Sequence, residues 1–423
     1  MLAPARASAP ASLPPPRLVP LPPLDPLPLL AAPGPAFYWE QPSSRAAVLA
    51  WGVTAEVRPR GPRCLAASLR WWRRLLPERP LPHLPLAVGG FAFRPRRARD
   101  PRWRPFGDAL WWLPRLLLAR LPQGCWAVLF GADDGELERL LAAPPAAHSL
   151  PQLSAPCWDD GFQAAVAGAV ARLRAGEAEK VVLARRLRLS CHGPFDPRPA
   201  LGRLRARYPD CTLFALGRGG RWFLGATPET LLAARHGRVR ADCLGGSAPR
   251  GPTPQEDEAL AARLLADAKE RHEHALVVAA AREALAPLCR RLHLPQAPLV
   301  RRLANIQHLH TPIEGELAGP LHLLQVAERL HPTPAVAGHP REAALGLIER
   351  LEGCDRGWYA GAVGWLDAQG GGELALAIRS ALVGRGEALL YAGCGLTAAS
   401  DPKREEEESR LKLGAMLEAL GAA

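Results

Sequence analysis

Short apolar runs bounded by turn residues recur along the chain and predict many β-strands. In the first third, alternating or continuous apolar residues occupy positions 47–57, 88–93, 111–114 and 125–130. A further run, 180–186, follows near the middle of the chain. Apolar runs of this length, rich in β-branched and aromatic residues, are typical of buried strands, so we expect a strand-rich fold.

Helical spacing of apolar residues appears between these runs. Residues 158–176 place Phe162, Val166 and Val170 on one face, which predicts an amphipathic helix. A long helix of mixed charge is predicted over residues 255–285. The fold therefore combines helices with strands.

The first 36 residues contain twelve prolines, three of them in a row. Proline fixes φ and has no N–H group, so we expect a disordered or loosely docked leader over residues 1–36. The same prolines interrupt the apolar core that a secretory signal needs. We expect residues 37–156 to form the N-terminal, strand-rich part of the fold and residues 157–423 to form its catalytic part.

The composition, with 48% hydrophobic and 22% charged residues, is that of a soluble globular protein. The net charge of +12 makes a basic nucleic-acid-binding protein the alternative class. The arginines are scattered without interleaved aromatic residues, so we expect no nucleic-acid partner. No apolar run reaches eighteen residues, so we expect no membrane contact. The nine cysteines form no Cys-x-x-Cys pair, which favours reduced thiols in a cytoplasmic protein.

Lys180 is unusual because only four of the 53 basic residues are lysines. Arginine stays protonated in proteins, whereas a buried lysine can lose its proton and act as a base. Lys180 directly precedes the apolar run of its strand, where burial is expected. A lysine that reaches back to water at the start of a strand is the simpler interpretation of this stretch alone.

Other polar stretches also suit a buried site, and each has a simpler structural explanation. Glu229 lies in a tight turn after a strand, as many turn acids do. The glycine-rich loop 243–251, which contains Ser247, offers N–H groups to an anion. His308 and His310 share one face of a predicted strand and are candidate zinc ligands, although hydrogen-bonded histidines are commoner than metal ligands.

The C-terminal part adds an arginine and a glutamate-rich helix. Arg379 ends an apolar stretch, so its charge must meet an anion or reach water. Glu405 and Glu408 are three residues apart on one helix face, with Lys412 one turn further along. Two carboxylates on one face suit a hard cation, which takes oxygen ligands. A solvated helix face is the commoner role of such a run.

The order of these motifs resembles that of the chorismate-utilising enzymes, and among them the isochorismate synthases. The matching stretches are, in chain order, EKVVLAR, FLGATPETLL, GGSAPRG, KERHEH, QHL, LHPTPAVAG, YAGAVGW, AIRS and AGCGLTAASDP. The resemblance is dense over residues 158–420 and looser over 37–130.

The resemblance implies an α/β sandwich of antiparallel sheets flanked by helices. It also implies an isomerase that converts chorismate to isochorismate with Mg²⁺. Lys180 matches the general base that activates water for attack at ring carbon 2. Glu229 matches the general acid that protonates the departing hydroxyl at carbon 4. The magnesium ligands match Glu273 and Glu408, with Glu405 nearby.

The resemblance also implies the substrate contacts. Arg379 and the backbone of Gly393 match the pocket for the pyruvyl carboxylate. Gly246 and Ser247 match the region of the ring carboxylate, and His331 lines the site. A lysine, with an ordinary pKa of ~10.4, needs burial to become a base at neutral pH, whereas the acid must keep its proton.

Residues at single positions distinguish this chain from enzymes with related activities. Lys180 stands where anthranilate-forming enzymes have a glutamine-type residue, and Gly245 stands where aminodeoxychorismate synthases have a nucleophilic lysine. Salicylate synthases share the base, acid and metal ligands and then eliminate pyruvate, so a salicylate synthase is the alternative function.

This chain departs from the family pattern at two places. The loop reads Gly-Gly-Ser from Gly245 where Ala-Gly-Thr is usual, which is expected to loosen the ring-carboxylate pocket. Glu406 replaces an aromatic residue. We expect a monomer or homodimer whose product feeds menaquinone or catechol siderophore synthesis.

Overall fold

We describe the fold from a computed structural model, for residues 16–30, 34–75, 84–95, 100–142, 152–154, 157–158 and 161–422. The strands are Arg17–Leu21 (β1), Ala36–Gln41 (β2), Ala46–Trp51 (β3), Ala55–Val57 (β4), Ala87–Phe91 (β5), Ala109–Leu113 (β6), Leu116–Leu121 (β7), Gly124–Leu129 (β8), Gln152–Leu153 (β9), Cys157–Trp158 (β10), Lys180–His192 (β11), Thr212–Arg218 (β12), Arg221–Thr227 (β13), Thr230–Arg235 (β14), Arg238–Pro249 (β15), Cys289–His293 (β16), Leu299–Arg302 (β17), Ile306–Leu317 (β18), Gly338–His339 (β19), Ala362–Leu366 (β20), Gly372–Leu376 (β21), Ser380–Gly384 (β22) and Glu387–Leu396 (β23). The α-helices are Cys64–Leu75 (α1), Asp134–Leu141 (α2), Phe162–Arg174 (α3), Pro197–Arg207 (α4), Pro254–Ala266 (α5), Ala268–Leu285 (α6), Leu323–Leu330 (α7), Arg341–Leu351 (α8) and Pro402–Leu420 (α9).

The strands form two antiparallel sheets, one of 13 strands and one of 10 within the described residues. The smaller sheet contains β4–β6, β14–β18, β20 and β21, and the other strands form the larger one. Helices pack against both sheets. The expected α/β class, with antiparallel sheets flanked by helices, is confirmed.

Both faces of the larger sheet are buried. In β2, Phe37 and Trp39 point into a core that also contains residues of the smaller sheet, whereas Tyr38 points into a second core. The second core includes Leu201 of α4 and Met416 of α9, so these helices cover the outer face of the larger sheet. Successive side chains of a strand point to opposite faces, which explains why the strand sequences are continuously apolar.

The N-terminal segment corrects the expectation of a disordered leader over residues 1–36. Residues 1–15 and 31–33 lie outside the described residues, but β1 pairs with β8 from Arg17↔Leu129 to Leu21↔Cys125. β1 is an edge strand of the larger sheet. An edge strand tolerates Pro20 because an N–H group that faces away from the sheet is not needed for pairing. The proline count therefore overestimated the disorder.

The long helix predicted over residues 255–285 is two helices, α5 and α6. The break lies at Asp267, whose backbone is extended and whose side chain accepts a hydrogen bond from the Glu270 N–H. Aspartate stabilises a helix start in this way. The cap fixes the direction of α6 independently of α5.

The parts expected at 37–156 and 157–423 share both sheets, because β2 pairs with β12 and β5 pairs with β20. Most of the segment 142–156 lies outside the described residues. Among the helices that the structure describes, none is both long and apolar enough to cross a membrane.

Candidate active site

One pocket brings together most of the residues expected in a site. It is lined by parts of β11, β15, β23, α6 and α9 and by the turn between β13 and β14. The expected site residues that line it are Glu229, Gly246, Ser247, Glu273, Arg379, Gly393 and Glu408. Lys180 and Glu405 lie next to this lining and contact its charged residues.

Lys180 is the first residue of β11, and its side chain is buried with 1% exposure. The Lys180 Nζ lies 2.9 Å from Glu273 Oε1 on α6. The strand β23 runs beside β11 with Val182 opposite Gly395, and the missing side chain of Gly395 leaves room for this ion pair. The lysine is thus a buried group with a carboxylate partner, and it does not reach water.

Glu229 lies in the turn between β13 and β14, where its N–H donates to Thr227 Oγ1 at 3.3 Å. Its carboxyl group is buried. Burial, followed by the negative charge of Asp242, raises the pKa of Glu229 to about 8. The group therefore holds a proton at neutral pH, as a general acid must.

A cluster of acidic side chains lies between α6 and α9. Burial first, and then the neighbouring charges Glu273 and Glu408, raise the pKa of Glu270. Burial and Glu408 likewise raise the pKa of Glu405 to about 7. Glu270 and Glu405 therefore both interact electrostatically with Glu273 and Glu408.

Three lysines balance this cluster. Lys180 contacts Glu273, Lys269 lies 3.4 Å from Glu405 Oε1, and Lys412 lies 2.5 Å from Glu408 Oε1. Although burial acts to raise it, the pKa of Glu273 is lowered by Lys180. Each lysine thus lies at a position to which the carboxylates of the cluster attract a cation.

The acidic cluster has the chemistry that Mg²⁺ prefers. Carboxylate oxygens are the usual ligands of this hard cation. Glu405 Oε2 is buried and has no hydrogen-bond partner among the residues that the structure describes, so it is available as a ligand. In the described part of the chain, no three such side chains already converge as a metal site does. The side chains of the cluster are therefore of the type that binds a hard cation. In this structure the three lysines pair with the carboxylates.

A buried cation faces the other side of the pocket. Arg379 follows β21 in a turn with φ +50, so it lies beyond the strand that it was expected to close. Its Nη2 contacts His308 Nε2 at 3.1 Å, and burial lowers its pKa. No carboxylate lies within ion-pair distance of Arg379 among the described residues. A buried guanidinium without an anion suits an anionic ligand.

His308 connects this arginine to the glycine loop. His308 Nδ1 lies 3.0 Å from the Gly246 carbonyl and 3.0 Å from Ser247 Oγ. A carbonyl only accepts, so Nδ1 carries the hydrogen and Nε2 accepts from Arg379. Burial lowers the pKa of His308 well below its ordinary value, which keeps the ring neutral. These bonds and the strand position account for His308 without a zinc ion.

Two other histidines also have protein partners. His310 Nε2 lies 2.9 Å from Asp242 Oδ1, on the same strand as His308. His331 Nε2 lies 2.9 Å from the Phe93 carbonyl, and its ring packs edge-on against Phe91. His331 is not among the described residues that line the pocket. The ring of His331 is held in an aromatic cluster, and its expected place at the site stays a prediction.

Sequence reasoning missed Glu270, which lines the pocket and whose Oε2 accepts from the Ser247 N–H at 3.1 Å. The signal was present, because Glu270 and Glu273 repeat the three-residue spacing of Glu405 and Glu408.

The departure at Gly245 has a local explanation. A methyl group there would lie 3.3 Å from His274 Cα, so the helix α6 packs closely against the bare glycine.

Comparison with known proteins shows the family to which the chain belongs. The model of the chorismate binding enzyme family matches residues 17–421. The chain therefore belongs to the chorismate binding enzymes, as the motifs indicated.

Several relatives are named as isochorismate synthases. The chain is 41% identical over 409 residues to the salicylate biosynthesis isochorismate synthase of Pseudomonas aeruginosa, covering 92% of this chain and 85% of the relative. It is 32% identical over 415 residues to isochorismate synthase MenF of Bacillus subtilis, covering 92% and 88%. The solved structure of the menaquinone-specific isochorismate synthase MenF of Escherichia coli matches with a TM-score of 0.83 at 27% identity, covering 97% of this chain and 95% of that one.

Proposed function

We propose that this enzyme is an isochorismate synthase, an isomerase that converts chorismate to isochorismate with Mg²⁺. The observation that supports it most is the pairing of a buried carboxyl group that keeps its proton, Glu229, with a buried lysine, Lys180, at one pocket. Adding water at one ring carbon while hydroxide leaves from another requires one base and one acid. The named relatives support the same reaction.

The roles of the two groups follow from this chemistry. Lys180 accepts a proton from the water that attacks ring carbon 2. Glu229 donates its proton to the hydroxyl at carbon 4, which leaves as water. The raised pKa of Glu229 supplies the acid at neutral pH. After each turnover Glu229 must regain a proton and Lys180 must lose one.

The remaining charges bind a dianion. Arg379 and the backbone at Gly393 hold the pyruvyl carboxylate, and Gly246 with Ser247 holds the ring carboxylate. Glu273 and Glu408, with Glu405 beside them, are the proposed Mg²⁺ ligands. When bound, Mg²⁺ supplies positive charge against the ring carboxylate. We expect a cytoplasmic monomer or homodimer that feeds menaquinone or catechol siderophore synthesis.

Salicylate formation is the second candidate, because one relative is named for salicylate biosynthesis. Product analysis separates the two: purified protein is mixed with chorismate and Mg²⁺, with a chelated sample as control. Isochorismate that forms only with the metal supports the proposal. Salicylate and pyruvate in equal amounts would replace it with the second candidate, and no turnover by folded protein would contradict both.

A further inference from the structure

Beside Glu229 lies a second buried carboxylate that the proposed reaction does not use. Asp242 is on β15. This strand pairs with β14, which begins directly after Glu229. The pairing of Ala233 with Arg240 aligns the start of β14 with the part of β15 that holds Asp242. Burial first, and then the negative charge of Asp242, raises the pKa of Glu229. The side chain of Asp242 is 1% exposed, so its charge is poorly screened by water.

The two carboxyl groups have unequal surroundings. Asp242 Oδ1 lies 2.9 Å from His310 Nε2 and 3.4 Å from Arg240 Nη2, and its Oδ2 lies 3.7 Å from Arg301 Nη1. Burial opposes the charge, but His310 and the arginines hold the pKa of Asp242 at about 2. Glu229 has no such ion pair among the described residues.

Two neighbouring carboxyl groups cannot both ionise easily in a buried site. The group that has cationic partners keeps its charge, and the other keeps its proton. We propose that Asp242 is a positioning residue, a fixed anion that keeps Glu229 in its proton-donating form. The catalytic meaning of this arrangement rests on the proposed function.

The other charged groups nearby do not provide this effect. Lys180 and Arg301 also face Glu229, and both act to lower its pKa. Glu373 on β21 interacts electrostatically with Asp242, and it is not among the main charges that act on Glu229. Asp242 is therefore the anion whose removal should release the proton of Glu229.

The test is a direct titration of Glu229 by infrared spectroscopy in metal-free protein. Subtracting the spectrum of Glu229→Gln isolates the carboxylic-acid band of Glu229, and its loss with rising pH gives the midpoint. In Asp242→Asn we expect the midpoint to fall by about one pH unit or more, because a like charge has been removed. The break in the pH profile of kcat/KM for chorismate that coincides with this midpoint should move with it.

Two further variants control the experiment. Asp242→Glu retains the negative charge and should keep the midpoint nearer to that of the unchanged protein than Asp242→Asn does. Asp257→Asn removes another aspartate held by arginines, Arg250 and Arg302, and should leave the midpoint unchanged. If circular dichroism shows that Asp242→Asn does not fold, Asp242→Ser is the second neutral replacement.

An unchanged midpoint in the folded neutral variant overturns the inference. The infrared titration needs no turnover, so it is independent of the proposed reaction. A shifted midpoint in a protein that does not convert chorismate would sustain the role of Asp242 and reject the function. An unshifted midpoint in an active enzyme would do the reverse.

Discussion

At the scale of single residues, the site depends on a position that has no side chain. A methyl group on Gly395 would lie 2.2 Å from Glu273 Oε1 and 3.1 Å from Lys180 Cε. Gly395→Ala must therefore displace the carboxylate and the lysine together. Misplacing a catalytic group by about 1 Å can cost about 100-fold in rate, so we expect a loss of that order in kcat/KM. Steady-state kinetics with chorismate would measure it.

Gly414→Ala is the matched control for this variant. Gly414 lies in α9, where an added methyl group meets no atom within 4 Å. Alanine also favours the helix by about 1 kcal/mol over glycine. We expect normal activity in Gly414→Ala, and normal activity in Gly395→Ala would show that the Lys180–Glu273 contact is dispensable.

Glu229 also makes stability depend on pH. Its folded pKa of about 8 lies above the ordinary value of 4.5, so the native state binds the extra proton between these pH values. The stabilisation is fully present below the ordinary pKa and is lost as pH rises through about 8, at about 1.4 kcal/mol per unit.

Glu229→Gln has no such proton. Its unfolding free energy relative to the unchanged protein should therefore increase between pH 4.5 and about 8 and level off above that range. Denaturant unfolding of both proteins at several pH values gives this difference. A difference that does not change with pH would mean that Glu229 titrates normally.

The sequence predicted some of the site residues better than others. Lys180 was conspicuous because lysine is rare in this chain, and Glu229 followed from the motif order. The proton on Glu229 depends on burial and on Asp242 from another strand, which no local pattern contains. His331 lies within a matching motif, yet its side chain turns toward Phe93, and that direction is set by tertiary packing.

At the scale of elements, β1 has a structural role that its prolines concealed. It covers the edge of β8, and Val19 and Leu21 pack against the second core. A chain that begins at Pro22 loses this strand and should unfold at a lower temperature, with unchanged kcat because the pocket contains no residue of β1. Thermal unfolding compares it with a chain that begins at Pro16, which retains β1. Equal unfolding temperatures would show that β1 contributes nothing.

Some element boundaries followed the apolar runs, as at Lys180, where β11 begins as expected. Others did not, because β11 continues to His192 and the run 47–57 is two strands, β3 and β4, in different sheets. The missed break between α5 and α6 shows the limit of periodicity. Charged residues on both helices continue the pattern across Asp267, and only the cap interaction with Glu270 reveals the interruption. That interruption matters because α6 supplies Glu270 and Glu273 to the site.

At the scale of the whole molecule, the order of the strands in the sheets could not be predicted from the sequence. The pairing of β2 with β12 joins segments about 170 residues apart, for example Trp39 with Phe214. No local signal selects such a partner. The resemblance supplied the sandwich architecture, and the two-faced burial of the larger sheet explains why the strand sequences lacked clear alternation.

The net charge of +12 should act on the encounter with a dianionic substrate. Raising the salt concentration from ~0.1 M to ~1 M shortens the screening length from about 10 Å to 3 Å. We expect kcat/KM for chorismate to fall by up to about tenfold over this range, with Mg²⁺ held constant and kcat changing less. A kcat/KM that is independent of salt would argue against long-range attraction.

In the proposed reaction, Lys180 and Glu229 perform the proton transfers. Turnover of chorismate by Lys180→Ala and Glu229→Gln tests this assignment directly, with Lys403→Ala as the control at an exposed lysine of α9. We expect each site variant, with an unchanged circular dichroism spectrum, to lose roughly 10²- to 10⁴-fold in kcat, whereas Lys403→Ala should not. Near-normal turnover by either folded site variant would contradict it.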